Sequence, residues 1–321
     1  MLALACPASL KGVLSAAEAA AALAEGLRRG GAEAEELPVA DGGEGTLEVL
    51  FGARSGGWRE AIVSDPLGRQ VRARWLLLLD GVAAVESAQA IGLGLLAEDE
   101  RDVTRASSRG LGELIHQVVK ESPSELIVFL GGTATVDGGS GLLEVLDDLP
   151  VPTRAACDVR APLLDAVWVF AEQKGAAADQ LPELERRLME NPALAPYGHL
   201  PGAGAAGGIG AALASLGVEL VAGAPLVLEL IGFRERLRDV ELAVTGEGTV
   251  DRSTWLGKAP SEVLSACGEA EVRGVLFGGR VVDRPEGIEL YELSGDPERA
   301  RDDLVELGVR LSSTTETGRT A

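Results

Sequence analysis

The first forty residues begin with an apolar run, continue through a longer segment that carries charged residues, and end in a second short segment. Residues 2–6 and 33–39 predict strands, and residues 15–29 predict a helix. Ser15 is expected to begin this helix, because Glu18, three residues later, completes the sequence signature of a capping box. The order indicates the start of a parallel α/β sheet.

Between residues 59 and 86 the pattern changes to segments in which apolar and polar residues alternate. Turn signals separate them at Pro66-Leu67-Gly68 and at Asp80-Gly81. Antiparallel hairpins are expected here, so a second domain is predicted to begin near residue 59. A helix over 108–120 and an unbroken apolar strand over 125–132 follow.

Apolar strands that end in glycine recur at 241–248 and 272–279. Ligands of open α/β sheets bind at the carboxyl ends of the strands. The loops after these two strands and after 125–132 are therefore expected to line one crevice. The polar end, residues 312–321, is expected to be frayed.

Composition narrows the class of protein. The 321 residues, 46% of them hydrophobic, suffice for two α/β domains or one large one. A net charge of -21 argues against a nucleic-acid partner, which would need stripes of Lys and Arg. A small anionic substrate fits only if lysines, arginines and helix N-termini supply positive charge locally.

Few side chains are available for metal, disulfide or histidine chemistry. The three cysteines have no CxxC spacing, and His116 is expected on the surface of the helix over 108–120. No apolar run reaches the roughly 18 residues of a membrane span, and the N-terminus lacks a basic region. We expect a cytoplasmic protein without membrane contact.

Four glycine-rich blocks carry most of the candidate chemistry. They are DGGEGT at 41–46, GGTATVDGG at 131–139, GAGAAGGIG at 202–210 and TGEGTVD at 245–251, the last followed by GKAP at 257–260. Glycine lets a backbone approach a bulky anion, and Asp, Glu, Thr and Lys bind Mg²⁺ or phosphate oxygens. The set indicates phosphoryl transfer, although DGGEGT alone also fits a glycine turn with an acidic helix cap.

The block at 202–210 also contains the letters GxGxxG, at Gly202, Gly204 and Gly207. A dinucleotide site needs a strand directly before these glycines, and residues 191–201 do not predict one. A nicotinamide-dependent oxidoreductase therefore stays as an alternative. The portable motifs of P-loop enzymes and protein kinases do not occur in the sequence.

Lysines are scarce, and three of them stand in glycine-flanked segments: Lys11 in SLKG, Lys174 in EQKG and Lys258 in LGKA. An ammonium group in such a loop is a suitable point charge for a phosphate or a carboxylate. Solvated surface is the alternative for each of them taken singly.

At these blocks the chain resembles the type-1 glycerate kinases, the bacterial ATP-dependent family that acts on D-glycerate. Further matching segments are PASLKGVLSA at 7–16, SSRGLGELI at 107–115, CDVRAPLL at 157–164 and EQKGA at 172–176. The resemblance implies two α/β domains with the active site between them: a discontinuous Rossmann-like domain over 1–58 and 268–321, and an inserted domain over 59–267.

The resemblance also implies ATP, Mg²⁺ and D-glycerate as ligands, with 2-phosphoglycerate favoured over 3-phosphoglycerate, and leaves a homodimer open. Asp41, Lys11 and Asp251 are the candidate catalytic residues, and Asp41 and Asp137 the candidate Mg²⁺ ligands. Candidate contacts to substrate or phosphate are Ser9, Gly42, Gly43, Glu44, Arg109, Thr133, Thr135, Asp137, Gly204, Gly207, Glu247 and Lys258.

The chain departs from the family pattern at several positions. Ala8 replaces an Asp, Val136 an Asn and Ser253 a Gln; Arg160 and Ala161 stand near a usual acidic residue and Asn; and the stretch 143–157 is about 30 residues short relative to the resemblance. A non-catalytic relative that binds a small anion or a partner is therefore a second alternative.

Overall fold

The computed structural model describes residues 1–313; residues 314–321 lie outside the described part. The strands are β1 (Leu2–Ala5), β2 (Glu33–Glu36), β3 (Gly56–Ser64), β4 (Gln70–Leu78), β5 (Val82–Glu86), β6 (Glu125–Leu130), β7 (Thr153–Cys157), β8 (Glu219–Ala222), β9 (Leu242–Val250), β10 (Arg273–Val281) and β11 (Glu289–Glu292).

The α-helices are α1 (Ala16–Arg29), α2 (Thr46–Ala53), α3 (Ser87–Ile91), α4 (Arg109–Val119), α5 (Ser140–Leu143), α6 (Asp165–Trp168), α7 (Leu181–Glu190), α8 (Ala205–Ser215), α9 (Gly223–Leu230), α10 (Phe233–Arg236), α11 (Ala259–Glu269) and α12 (Ala300–Ser313). Short 3-10 turns lie at 93–95, 98–100, 172–174, 178–180, 237–239 and 252–255. Among the described residues, no helix is long and apolar enough to span a bilayer.

The chain divides into two compact units, each with its own sheet. The first unit comprises Met1–Asp41, Glu48–Ala53 and the chain from Ala224 onward, and its five strands run in the order β11-β10-β9-β1-β2. All pairs in this sheet are parallel. The predicted α/β class with a discontinuous parallel-sheet domain is confirmed.

The second unit comprises Gly42–Leu47 and Arg54–Gly223, and its six strands run in the order β3-β4-β5-β6-β7-β8. β3, β4 and β5 form antiparallel pairs, as the alternating pattern predicts, and β5 through β8 are parallel. Leu126, Val128 and Leu130 of β6 lie in its core, and Ile127 and Phe129 on the opposite face are also buried, which explains the unbroken apolar run of that strand.

The return point to the first unit differs from the predicted boundary at 268. Residues 224–267 fall in the first unit because β9 pairs with both β1 and β10. The two boundary residues of the second unit's longest stretch are Arg54 and Gly223.

Two expectations about the glycine-ended strands need correction. β9 and β10 do not stop at their glycines but run through them to Val250 and Val281. β6 lies in the second unit whereas β9 and β10 lie in the first, so the three loops do not share one sheet edge. The repeated apolar-glycine pattern is common to buried parallel strands and does not encode which sheet a strand joins.

The start of α1 follows the sequence signal. The Ser15 hydroxyl accepts a bond from the Glu18 N–H at 3.2 Å, and the Glu18 carboxylate accepts one from the Ser15 N–H at 2.8 Å. The predicted capping box is confirmed. At the other end of the chain, Ser312 and Ser313 belong to α12, and the remainder of the predicted frayed segment is outside the described residues.

The helices α1 and α12 approach each other so closely that only glycine fits at the contact. A Cβ on Gly26 would overlap the carbonyl oxygen of Val305, and one on Gly308 would lie 2.6 Å from the Leu23 carbonyl oxygen. The contact buries Leu23, Leu27 and Leu304 in the core of the first unit. The close approach is therefore part of that core.

We expect Gly26→Ala to destabilise the protein by about 2–3 kcal/mol, because the added methyl group must push α1 away from α12. Urea unfolding followed by circular dichroism measures this change. Gly268→Ala is the matched control: Gly268 lies in α11 with nothing within 4 Å of its would-be Cβ. That substitution should stabilise the chain by about 0.5–1 kcal/mol through helix propensity. Equal effects of the two variants would contradict the packing argument.

Candidate functional site

In the first unit, the predicted site residues collect where three neighbouring parallel strands end. The Leu37 N–H donates to the Ala5 carbonyl and the Val39 N–H to the Pro7 carbonyl, at 2.9 and 3.0 Å, so the chain after β2 follows the chain after β1. Asp41 and Ser9, both half-buried, each come two residues after the second of these bonds. These hydrogen bonds thus bring the candidate catalytic residue Asp41 and the candidate contact Ser9 to one end of the sheet.

Lys11 is placed beside the glycines of β9. The Ala8 N–H donates to the Gly246 carbonyl at 2.9 Å, and the backbone nitrogen of Lys11 lies 3.6 Å from the position that a Cβ on Gly248 would take. The loop containing Lys11 therefore packs along the strand at van der Waals distance. The Lys11 side chain itself is exposed.

Glu247 links β9 to the start of α11. Its carboxylate accepts a 2.6 Å bond from the Thr254 hydroxyl and a 3.2 Å ion pair from the Lys258 ammonium. Lys258 is the residue that directly precedes α11, and its carbonyl accepts the N–H groups of Ser261 and Glu262 at 3.1 and 3.2 Å. Glu247 therefore fixes an ammonium group at a helix N-terminus.

Asp251 caps the short turn over 252–255. Its carboxylate accepts bonds from the Ser253 N–H and hydroxyl at 2.7 and 2.6 Å. These bonds, with a smaller contribution from the nearby Lys258 charge, hold the pKa of Asp251 below its usual value. Asp251 is thus an ionised carboxylate and a weak proton acceptor.

In the second unit, the loop after β6 is surrounded by segments that follow its neighbours. The Ser87 hydroxyl, after β5, exchanges bonds of 3.0 and 3.1 Å with the backbone of Gly131. A Cβ on Gly131 would lie 3.0 Å from the Gly43 Cα and 2.7 Å from a carboxylate oxygen of Asp158, which follows β7. Gly43 of the first block therefore meets the block at 131–139 within the second unit, at the carboxyl ends of parallel strands.

Gly42 and Glu44 of the block at 41–46 also lie close to segments that follow strands of the second unit. A Cβ on Gly42, whose φ is +92°, would lie 2.9 Å from Gly223, and a Cβ on Gly132 would lie 3.7 Å from the Glu44 carboxylate. Glu44 is exposed. Thr46 is not a free cap residue: it begins α2, and its hydroxyl donates to the Gly43 carbonyl at 2.7 Å.

The buried Lys174 side chain contacts the loop after β6 from the interior of the protein. Its side chain is 6% exposed, and its ammonium donates to the Thr133 hydroxyl at 3.0 Å and to the Thr135 carbonyl at 2.9 Å. Burial lowers the pKa of Lys174 to about 8, and the attraction of Asp158 and Asp137 opposes that shift. Thr133 and Thr135, both predicted contacts, are thereby brought together around one cation.

Asp137 ends the loop, and its carboxylate accepts four hydrogen bonds. Its carboxylate accepts from the Ser108 N–H and hydroxyl at 2.8 and 2.7 Å, from the Gly139 N–H at 3.1 Å and from the Gly141 N–H at 3.2 Å. These donors belong to the N-terminal ends of α4 and α5 and the turn before α5. Asp137 joins the loop to two helix starts.

The assignment of Asp41 and Asp137 as Mg²⁺ ligands stays a prediction. Three of the four donors bond Oδ2 of Asp137 and one bonds Oδ1, so most of the lone pairs of this carboxylate are engaged within the fold. Within residues 1–313, no three His, Cys, Asp or Glu side chains cluster as a metal site. Asp137 has a structural role in this loop in any case.

The Arg109 guanidinium already forms ion pairs with two glutamates. Its guanidinium pairs with Glu113 at 3.1 Å and with Glu144 at 3.0 Å, and it is exposed at the start of α4. Binding a substrate carboxylate there would have to displace these partners. His116, on the same helix, is exposed as predicted.

The block at 202–210 has a packing role. The Gly204 N–H is used by the Ala161 carbonyl at 3.0 Å, and a Cβ on Gly207 would overlap the carbonyl oxygen of Thr135. The chain before Gly202 forms turns and no strand, so a dinucleotide fingerprint is not assembled. Gly204 and Gly207 support the loop after β6 by allowing close approach.

Several residues of the site were not singled out by the sequence. Ser87, Ser108, Asp158 and Thr254 all hold predicted site residues or their loops in place. Their signal was positional only: each follows or flanks a predicted strand or glycine block. The glycine-flanked segment around Lys174 was a signal in the sequence, whereas nothing in the sequence indicated that Lys174 is buried.

Comparison with known proteins shows the family of this chain. The sequence model of the glycerate kinase family matches residues 3–148 and 149–295. The chain belongs to the glycerate kinase family. It is 35% identical to "Glycerate 2-kinase" of Escherichia coli (strain K12), over 86% of this chain and 84% of that protein, and 36% identical to "Glycerate kinase" of Bacillus subtilis (strain 168), with the same coverage.

A solved structure shares the fold of this family member. The protein from Salmonella typhimurium LT2 described as glycerate kinase 2 superposes with a TM-score of 0.83 and 28% identity, over 100% of both chains. The predicted family and its enzyme class are confirmed.

The pKa of Lys174 predicts a pH-dependent stability. The folded pKa of about 8 lies below the ordinary 10.5, so between these values the unfolded chain binds more protons and folding stability rises with pH. We expect the free energy of unfolding of the wild type, relative to Lys174→Met, to increase by about 1–2 kcal/mol between pH 7.5 and 9.5.

Urea unfolding at the two pH values measures this difference. Lys120→Met is the control, because the Lys120 side chain is exposed and contacts only Gln117, at 3.5 Å. If the stability of the wild type and that of Lys174→Met change equally with pH, the assignment of Lys174 as a buried ammonium is contradicted.

Proposed function

We propose that this chain transfers the γ-phosphoryl group of ATP to a hydroxyl group of D-glycerate. Family membership supports the reaction class, and the names of the relatives support the substrate. One observation carries the proposal for this chain: acids and ammonium groups are collected at the carboxyl ends of β2, β1 and β9, which are adjacent parallel strands.

In the proposed reaction, the glycerate hydroxyl oxygen forms a bond to the γ-phosphorus as the bond from that phosphorus to the ADP oxygen breaks. Asp41 is proposed to accept the hydroxyl proton. Lys11, Lys258 and the N-terminus of α11 are proposed to attract the anionic groups, with Lys258 held in place by Glu247. Asp251, ionised and bonded to Ser253, is proposed to shape the turn next to Lys258.

Mg²⁺ is proposed to arrive with the phosphates of ATP and to neutralise their charge. Asp41 and Asp137 stay proposed Mg²⁺ ligands, although Asp137 already accepts four hydrogen bonds within the fold. The other predicted contacts, Ser9, Gly42, Gly43, Glu44, Thr133 and Thr135, are retained as proposed contacts to substrate or phosphate. The role of Arg109, the homodimer and the cytoplasmic location stay predictions.

We expect ADP release that depends on both D-glycerate and MgATP, measured with the purified chain in a coupled assay at millimolar substrate. Asp41→Asn should lower kcat at least about tenfold if that carboxylate accepts the proton. This variant also separates the activity of the chain from that of a contaminating kinase. Absence of glycerate-dependent turnover in the wild type, with ligand binding retained, would favour a non-catalytic relative instead.

The proposed product is 2-phosphoglycerate. The glycerate carboxylate anchors one end of the substrate, the O2 hydroxyl is nearer to it than O3, and the anion contacts are crowded around the same short loops. A relative that is named for 2-kinase activity supports this choice. Product formation should be detected with enolase alone. A signal that requires added phosphoglycerate mutase would assign transfer to O3.

A further inference from the structure

Lys174 carries a charged group that is buried, where the loss of hydration is unfavourable for the charge. At 6% exposure its ammonium loses most of its hydration, and both oxygens that it contacts, of Thr133 and Thr135, are neutral. Asp158 and Asp137 attract it, yet the balance still lowers its pKa to about 8. A buried cation that destabilises the fold and has a specific hydrogen-bond geometry indicates a functional role.

The bond from Lys174 determines what the Thr133 hydroxyl can do. A hydroxyl has one hydrogen to donate, and here its oxygen accepts from the ammonium at 3.0 Å, so its own hydrogen points elsewhere. Within residues 1–313, no acceptor for that hydrogen is recorded. Contact with a cation also makes the O–H group a stronger donor.

Thr135 adds an independent observation. Its side chain is 0% exposed, and its hydroxyl has no hydrogen-bond partner among the described residues. A buried hydroxyl without a partner costs about 1–3 kcal/mol, so such groups are rare in folded proteins. Together with the third N–H of Lys174, the hydroxyls of Thr133 and Thr135 therefore provide three donors that form no hydrogen bond among residues 1–313. An anion, which only accepts hydrogen bonds, complements this set.

The loop that carries these donors is rigid and reaches the surface. Gly207 packs directly on the Thr135 carbonyl, and Asp137 ties the end of the loop to α4 and α5. Gly132, directly before Thr133, is exposed. Donors fixed in this way need no reorganisation when a ligand arrives.

We propose that Lys174 is a positioning residue which, through the Thr133 hydroxyl, forms a binding site for an anionic oxygen of a substrate. This inference rests on the proposed function, under which the oxygen belongs to the phosphates of ATP or to the carboxylate of glycerate. Lys174 orients and polarises the hydroxyl, and Thr133 makes the contact.

The test compares Thr133→Val, which removes the hydroxyl and keeps the shape, with Thr133→Ser, which keeps the hydroxyl. Lys174→Met and the double variant Lys174→Met/Thr133→Val complete the set. Thr153→Val is the matched control, since the Thr153 hydroxyl in β7 only bonds the Val151 carbonyl at 2.9 Å. Isothermal titration of each full-length variant with a non-hydrolysable ATP analogue and, separately, with D-glycerate gives two dissociation constants.

We expect Thr133→Val to weaken binding of one ligand at least about tenfold, Thr133→Ser to stay within threefold, and Lys174→Met to match Thr133→Val. The double variant should be no weaker than Lys174→Met alone. A loss confined to the ATP analogue assigns a phosphate oxygen, and a loss confined to glycerate assigns the carboxylate. Both dissociation constants within twofold of wild type in Thr133→Val would overturn the proposal.

Two further outcomes are also decisive. If Lys174→Met does not fold, the comparison of Thr133→Val with Thr133→Ser still decides whether the hydroxyl binds an anion, and Lys174→Arg, with its charge retained, tests rescue. If the wild type binds neither substrate, the proposed function fails; inorganic phosphate is then the probe. Phosphate binding that Thr133→Val abolishes supports the anion site, and no phosphate binding overturns it.

Discussion

The carboxylate of Asp137 connects three segments of the second unit. Asp137 accepts four hydrogen bonds from Ser108, Gly139 and Gly141, and so ties the loop after β6 to the starts of α4 and α5. Charge-assisted bonds of this kind are individually stronger than neutral ones, and three of the four donors are N–H groups at helix starts, where backbone N–H groups otherwise lack partners. The position of Thr133 and Thr135 follows from this anchor, because both lie on the stretch that Asp137 terminates.

Glycine supplies the second constraint on the same loop. Gly207, with φ at +76°, sits where any Cβ would overlap the Thr135 carbonyl, and Gly131 sits where a Cβ would be 3.0 Å from Gly43. The backbone segments can therefore stack without side chains between them. A glycine-rich block that binds phosphate and one that only allows close backbone packing can have the same sequence. Here the Gly204 N–H is already bonded to Ala161, which favours packing for that block.

The parts of the fold that the sequence predicted are those whose cause is local. The capping box joins Ser15 to Glu18 over three residues, and the alternating pattern of β3 and β4 reports a hairpin with a short turn. The sheet to which β6 or β9 belongs has no local cause, because β9 pairs with β1 from the far end of the chain. The same limit applies to the site. The Asp137 bond to Ser108 spans 29 residues and the Lys174 bond to Thr133 spans 41, so the sequence named Asp137 as a metal ligand and placed Lys174 only among candidate cations.

A chain with net charge -21 can still bind a small anion, because distance and burial decide which charges the anion feels. Carboxylates farther away than the Debye length of about 8 Å are largely screened, whereas a contact at about 4 Å contributes roughly 4 kcal/mol at an effective dielectric constant near 20. The cations differ in how much of this attraction is left for a ligand. Lys258 shares its charge with Glu247 at 3.2 Å, and Lys11 is exposed to solvent. Lys174 forms hydrogen bonds only to neutral oxygens, of Thr133 and Thr135, and is poorly hydrated, although Asp158 and Asp137 offset part of its charge. The Thr133 hydroxyl is the group through which its charge is proposed to act on a ligand.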